Sequence, residues 1–177
     1  FDKGSYAISG GAFKTVIKPE YCADGFIPSQ NEGGTYGVKE GSGFAGQNVV
    51  LNESLAMKIY VKDLNAKYVR VTYNGLDGNT KQVTLDEFTD IKIGDEEYKY
   101  CLFNKIMPQM IDVKFSFELY GEEDVMLDRK ANYSIVDYLV NIIASNKDSA
   151  AFRNVAASLI EYANKAKAVK GLTAIVA

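Results

Sequence analysis

The chain has 177 residues, 47% of them apolar and 24% charged, which suffices to bury a core as one ordinary domain or as two small ones. Its 20 basic and 23 acidic residues leave a formal charge of -3, and no Lys/Arg-rich run stands ready to neutralise a phosphate backbone or an anionic membrane, so nucleic acid is not an expected partner. No apolar stretch reaches bilayer length, so membrane insertion is not expected, and the absence of histidine removes the usual general base.

Residues 5 to 38 read as short strands joined by tight turns, with a Gly10-Gly11 pair and turn signals at Ala23-Asp24-Gly25 and Asn31 to Gly34. Residue 1 already lies in a polar, strand-like stretch, so any export signal is expected to precede it. The segment KEGSGFAGQN, residues 39 to 48, has no hydrophobic period and reads as a linker or bend, which puts a boundary near residue 42. Regular alternation follows. Leu55, Met57, Ile59 and Val61 share one strand face, with Ala56, Lys58, Tyr60 and Lys62 on the other. A hairpin puts Val69, Val71 and Tyr73 on one side, turns through residues 74 to 79 and returns with Val83 and Leu85. Residues 98 to 104 form another expected strand. In a further one Ile111, Val113, Phe115, Phe117 and Leu119 point inward. Gly121 to Asp124 turns the chain into a last short strand over 125 to 130.

The C-terminal quarter changes period. Ser134 can cap a helix, with Asp137 suiting its positive end, and Ile135, Tyr138, Leu139, Ile142 and Ile143 form one apolar stripe. Asp148 or Ser149 can cap a second helix with a stripe of Phe152, Val155, Ala156, Leu159, Tyr162, Ala163 and Ala166. Two stripes joined by a short loop predict an antiparallel helical hairpin. Burying five large side chains of the first helix is worth on the order of 10 kcal/mol as an upper bound, so the hairpin is expected to clamp a core. The fold class read from the sequence is α+β, mainly β: a β-rich repeat-like segment over 1–42, an antiparallel β-sandwich over 43–130 and a helical hairpin packed on it over 131–177.

Two stretches resemble known families. Gly10, Gly11 and Phe13, then Tyr21, Ala23, Gly25 and Phe26, then Gly34, Thr35, Tyr36 and Val38 resemble a repeat unit of large surface proteins from gut Firmicutes, which implies terminal rungs of a parallel β-solenoid or short β-rich spacers. Residues 48 to 168 are similar to a module near the C-termini of secreted or wall-attached proteins of Clostridia and Ruminococcus, sometimes beside dockerins or carbohydrate-active domains. Tyr133, Ser134, Ile135, Asp137 and Tyr138 match the start of that module's first helix, whereas Ala163 departs from its usual Leu-x-Tyr-Gly ending. The resemblance implies an extracellular, secreted or cell-wall location, with other domains of the same surface protein as partners and no catalytic role.

Few residues invite chemistry. Without histidine, a Ser-His-Asp or Cys-His site cannot exist, and a carboxylate pair for glycoside hydrolysis is the remaining enzymatic route. The acids fall in turns (Asp86, Glu87 and Asp90; Asp95, Glu96 and Glu97; Glu122 to Asp124), where they keep loops solvated. Asp77, Asn79, Asp95 and Glu97 are conceivable calcium ligands outside any EF-hand pattern; no other cofactor is expected. Cys22 and Cys101 could be bridged, closing a long loop worth roughly 4 kcal/mol, or remain two buried thiols. Tyr60, Tyr68, Tyr100 and Tyr120 fall opposite the apolar sets of their strands and could form a platform for a host or plant glycan. The alternative is that a helix layer covers them. A covalent Lys–Asn or Lys–Asp crosslink has no spacing to mark it. The leading expectation is a non-catalytic structural or adhesion module, with a carbohydrate-binding module second.

Overall fold

The computed structural model describes residues 7–51, 54–145 and 149–175. Two four-stranded antiparallel sheets make up its body. The first has the order β3–β4–β8–β7, from β3 (Phe44–Leu51), β4 (Leu55–Val61), β8 (Glu96–Phe103) and β7 (Thr89–Ile93). The second has the order β10–β9–β5–β6, from β10 (Met126–Tyr133), β9 (Phe115–Tyr120), β5 (Tyr68–Asn74) and β6 (Thr80–Leu85). Register places Met57 opposite Phe103 and Ile59 opposite Cys101 in one sheet, and Val69 opposite Leu119 and Val71 opposite Phe117 in the other. All eight are buried. Phe103 meets Tyr73 and Phe115 of the facing sheet at ring-centroid distances of 5.7 and 5.6 Å, so the two apolar faces share one core. The expected mainly β sandwich with a C-terminal two-helix segment is therefore what the chain builds.

The helices α1 (Ile135–Ala144) and α2 (Ala150–Val169) form the hairpin. Ser134 caps α1 by accepting from the Asp137 amide at 3.2 Å, and Ser149 caps α2 by accepting from the Phe152 amide at 3.2 Å. Asp148, the other candidate cap, lies outside the described residues. The hairpin seals the end of the sandwich at which β8 passes into β9. The Val136 amide donates to the Ile111 carbonyl at 2.8 Å, Lys114 pairs with Asp137, and Lys167 pairs with Asp112. Ile135, Leu139, Ile142, Ala156, Leu159, Ile160 and Ala163 join the common core.

Four local readings are corrected. Of the expected linker, Lys39 and Glu40 end a strand over Tyr36–Glu40, and residues 44–48 belong to β3, whose residues 44 to 51 pair along β4. A register shift between Phe44 and Gly46 breaks the period-2 signal, which is why the strand was illegible. The glycines preceding it serve close approach, since a Cβ on Gly41 would collide with the Asp128 carboxylate and one on Gly43 with Leu119. Ile111 is buried as expected, but it sits in the turn after a short 3₁₀ helix (Pro108–Met110), and β9 begins only at Phe115. Asp90 lies within β7, and Glu96 and Glu97 open β8, rather than lying in turns. On α2 the buried set is Ala156, Leu159, Ile160, Ala163 and Lys167, whereas Phe152, Val155 and Tyr162 are 44%, 50% and 57% exposed. The buried stripe is rotated relative to that expectation and ends on Lys167, which turns inward to pair with Asp112.

The N-terminal segment docks along β10. Its hairpin of β1 (Phe26–Gln30) and β2 (Tyr36–Glu40) is antiparallel, with a parallel bridge between Ile8 and Cys22 upstream. The Gly25 amide donates to the Arg129 carbonyl at 3.2 Å, the Ala131 amide to Asp24 Oδ1 at 2.7 Å and the Ser42 amide to the Leu127 carbonyl at 3.0 Å. Cys22 and Cys101 are both buried free thiols, so the bridged alternative is not realised. Cys22 belongs to the docked segment, where its thiol approaches the Lys18 carbonyl, while Cys101 faces the sandwich core from β8.

Candidate binding surface

Strand alternation sends every second side chain of the β3–β4–β8–β7 sheet away from the core. β4 turns Lys58 and Tyr60 outward. Opposite them β8 turns out Leu102 and Tyr100, followed by Tyr98, and β3 contributes Asn48 and Gly46. On the other flank Thr89 and Ile91 of β7 stand beside Tyr100 and Tyr98, with Ile93 next along the strand. The result is an aromatic sheet face. Tyr60 and Tyr100 form a tilted pair with centroids 5.9 Å apart, and Lys58 Nζ lies 4.3 Å from the Tyr100 centroid, within cation–π range. Leu102 and Ile93 are 44% and 52% exposed on this same face. The helices pack at the end of the sandwich and do not form the cover that the alternative reading anticipated.

Two concavities flank the tyrosines. One, of about 320 Å³, is lined by residues 45 to 48 of β3 together with Tyr60, Ile93 and Tyr98. The other, of about 660 Å³, runs from Tyr100 and Leu102 to Thr89, Asn104 and the acids Asp86 and Glu87. Tyr98 donates its hydroxyl proton to Glu96, which raises the phenol above its ordinary range and, with Lys62 at 3.6 Å, holds Glu96 below its own. Tyr98 is the residue that the sequence reading missed. It stands two positions before Tyr100 on one strand, so the alternation itself could have found it.

Tyr68 and Tyr120 are also brought together, but on the outer face of the opposite sheet. Their rings stack at 4.8 Å, and the Arg70 guanidinium lies 4.6 Å from the Tyr120 centroid. Every hydroxyl is engaged. Tyr68 donates to Asp124 at 2.8 Å, Tyr120 donates to Glu118 at 2.9 Å, and Arg70 donates to both phenol oxygens. Burial foremost, then neighbouring carboxylates, raise both phenols. With its ring stacked and only 7% of its surface exposed, Tyr120 has no free face for a ligand. The four candidate tyrosines thus make two patches, one open and one self-satisfied.

The candidate calcium ligands also separate into two groups. Asp77 and Asn79 sit in the β5–β6 turn beyond Tyr73, which touches the last residue of β8, while Asp95 and Glu97 flank the first. The stretch of β8 from Glu97 to Phe103, six steps of about 3.3 Å, holds the two pairs roughly 20 Å apart. The Asp77 carboxylate accepts from Lys81 at 2.8 Å and from the Asn79 amide at 3.1 Å, bonds that bring it down to about 2. Among the described residues there is no group of three or more acids and cysteines spaced to hold a metal ion, and no helix long and apolar enough to cross a membrane.

Several buried polar groups escaped the sequence reading. Asp128 accepts from the Phe44 amide at 2.9 Å and the Arg129 amide at 2.7 Å, and burial raises its carboxyl above the usual range. Arg129 reaches the Cys22 carbonyl at 3.3 Å, and Lys167 is only 7% exposed beside Asp112. These groups join segments distant in sequence, and of their buried side-chain nitrogens and oxygens Arg129 Nε has no hydrogen-bond partner. Burial pushes the Cys101 thiol up to about 12, which leaves it inert. Comparisons with protein-family models, with curated proteins and with solved structures return no match to the chain.

Proposed function

We propose that the chain is a non-catalytic structural or adhesion module of a larger extracellular protein, and that its contact surface is the outer face of the β3–β4–β8–β7 sheet. One observation carries this reading: a sheet face bearing Tyr60, Tyr98, Tyr100, Leu102 and Ile93 that no other described element covers. A spacer gains no stability from leaving such side chains in water. The extracellular location rests on the motifs of residues 10 to 38 and 133 to 163, which resemble surface-protein units.

A glycan is the ligand class that suits this face. Tyrosine offers a flat apolar ring with a polar tip, which matches the apolar C–H faces and hydroxyl edges of a sugar. Against a catalytic reading, the chain has no histidine, and the buried carboxylate of Asp128 is occupied by two backbone amides. A glycan array separates the readings. Wild-type protein and Tyr68→Ala are expected to bind the same glycans, and Tyr60→Ala and Tyr100→Ala to lose them with melting temperatures retained. Retention by both loss variants contradicts the assignment, and release of reducing ends from a bound polysaccharide contradicts the non-catalytic reading.

A further inference from the structure

The concavity beside β3 narrows the ligand class, an inference that rests on the glycan-binding reading above. Its lining of residues 45 to 48, Tyr60, Ile93 and Tyr98 contains no carboxylate, ammonium or guanidinium. The opening exists because β3 places a glycine opposite Tyr60. A Cβ at Gly46 would meet nothing within 4 Å, so no side chain fills the space on that flank of Tyr60. Tyr100 stands on the other flank. Asn48, opposite Lys58 and exposed, supplies an amide that both donates and accepts. Of the cations described nearby, Lys58 lies over the Tyr100 ring, Lys62 pairs with Glu96, and Lys105 lines the larger concavity together with Asp86 and Glu87. Glu96, which bonds Tyr98 at the rim, would repel an anionic sugar.

We infer that the cleft formed by Gly46, Asn48, Tyr60, Ile93 and Tyr98 holds one unit of a neutral glycan, packed against the tyrosine rings and hydrogen-bonded by Asn48. At about 320 Å³ the cleft falls at the small end of ligand-site volumes. The chain of sugars then continues across Tyr100 toward the larger concavity at Leu102 and Asn104. Tyr98 and Tyr100 are spaced along β8 by two residues, about 6.6 Å, so successive sugars meet successive rings. Discrimination against acidic sugars follows from what the cleft lacks, a free cation to pair with a carboxylate.

Isothermal titration tests this with three probes: linear hexasaccharides of β-1,4-linked glucose, of β-1,4-linked mannose and of galacturonic acid. Wild-type protein is expected to bind at least one neutral hexasaccharide and not the acidic one. Tyr98→Ala and Asn48→Ala, both surface substitutions whose folding is checked by thermal melting, are each expected to weaken that binding about tenfold or more, and Tyr68→Ala to leave it unchanged. Unaltered neutral binding in both cleft variants overturns the cleft assignment while leaving the glycan-binding reading intact. Binding of the galacturonic hexasaccharide alone overturns neutrality. Binding of none of the three overturns the glycan reading itself.

Discussion

Asp128 lies buried on β10, and its carboxylate takes the amides of Phe44 and Arg129, one in each sheet. Through these bonds one side chain fixes where the N-terminal segment hands over to β3, and Gly41 is kept small to let it do so. Truncation to alanine leaves two buried donors without an acceptor, a loss of about 2 kcal/mol. Its titration carries a further signature. Burial raises the Asp128 carboxyl above its ordinary 3.8, with Lys130 and the two amides pulling it down and Asp24 pushing it up. The folded state therefore holds this proton more tightly than the unfolded chain, so the contribution of Asp128 is greatest below 3.8 and declines as pH rises through the folded value. Asp77, Asp137, Glu96 and Glu161, held below their ordinary values by partners, act in the opposite sense, losing stability as pH falls. Urea denaturation of wild type and Asp128→Asn at a series of pH values isolates the term. The wild-type advantage is expected to shrink from pH 4 upward, and a constant or growing advantage contradicts the assignment. No pattern in the sequence marked Asp128, because a carboxylate on a half-buried edge strand reads as solvated.

Among the elements, α2 departs most clearly from its periodic reading. Apolar spacing alone puts Phe152 and Leu159 on one stripe, but Leu159 is 8% exposed and Phe152 44%. Leu159→Ala is expected to cost about 3 kcal/mol through the cavity it leaves, and Phe152→Ala less than about 1 kcal/mol. Chemical denaturation of the two variants checks this, and equal losses would restore the broader stripe. Apolar spacing also could not place Lys167 on the buried face, because its partner Asp112 lies 55 residues away in the connection between β8 and β9. α1 was legible through its cap, since Ser134 is fully buried and bonds the first turn as its position implied. The central strands β4, β5 and β9 were legible because both their neighbours are strands and one face is fully buried, so alternation survives intact. The edges β3 and β7 were not, since a bulge interrupts one and the other is short and mostly exposed.

At the scale of the whole molecule, the fold class and the order of segments were legible, because they follow from where the period changes along the chain. The candidate site was half legible. Alternation put Tyr60, Tyr68, Tyr100 and Tyr120 on outer faces, but only topology reveals that they belong to opposite sides of the sandwich, since sheet order is set by long-range pairing. The network of Arg70, Glu118 and Asp124 closes one pair, whereas the helices pack at the β8–β9 end beside Asp112 and Lys114 and do not cover the other. The proposed recognition surface is therefore the outer β3–β4–β8–β7 face. Amide chemical-shift mapping of isotopically labelled protein, titrated with the β-1,4-linked glucose and mannose hexasaccharides together, tests that placement most directly. Perturbed amides are expected to cluster at residues 46–48, 58–60 and 98–102. Perturbations centred on Tyr68 and Tyr120, or none at saturating sugar, would contradict it.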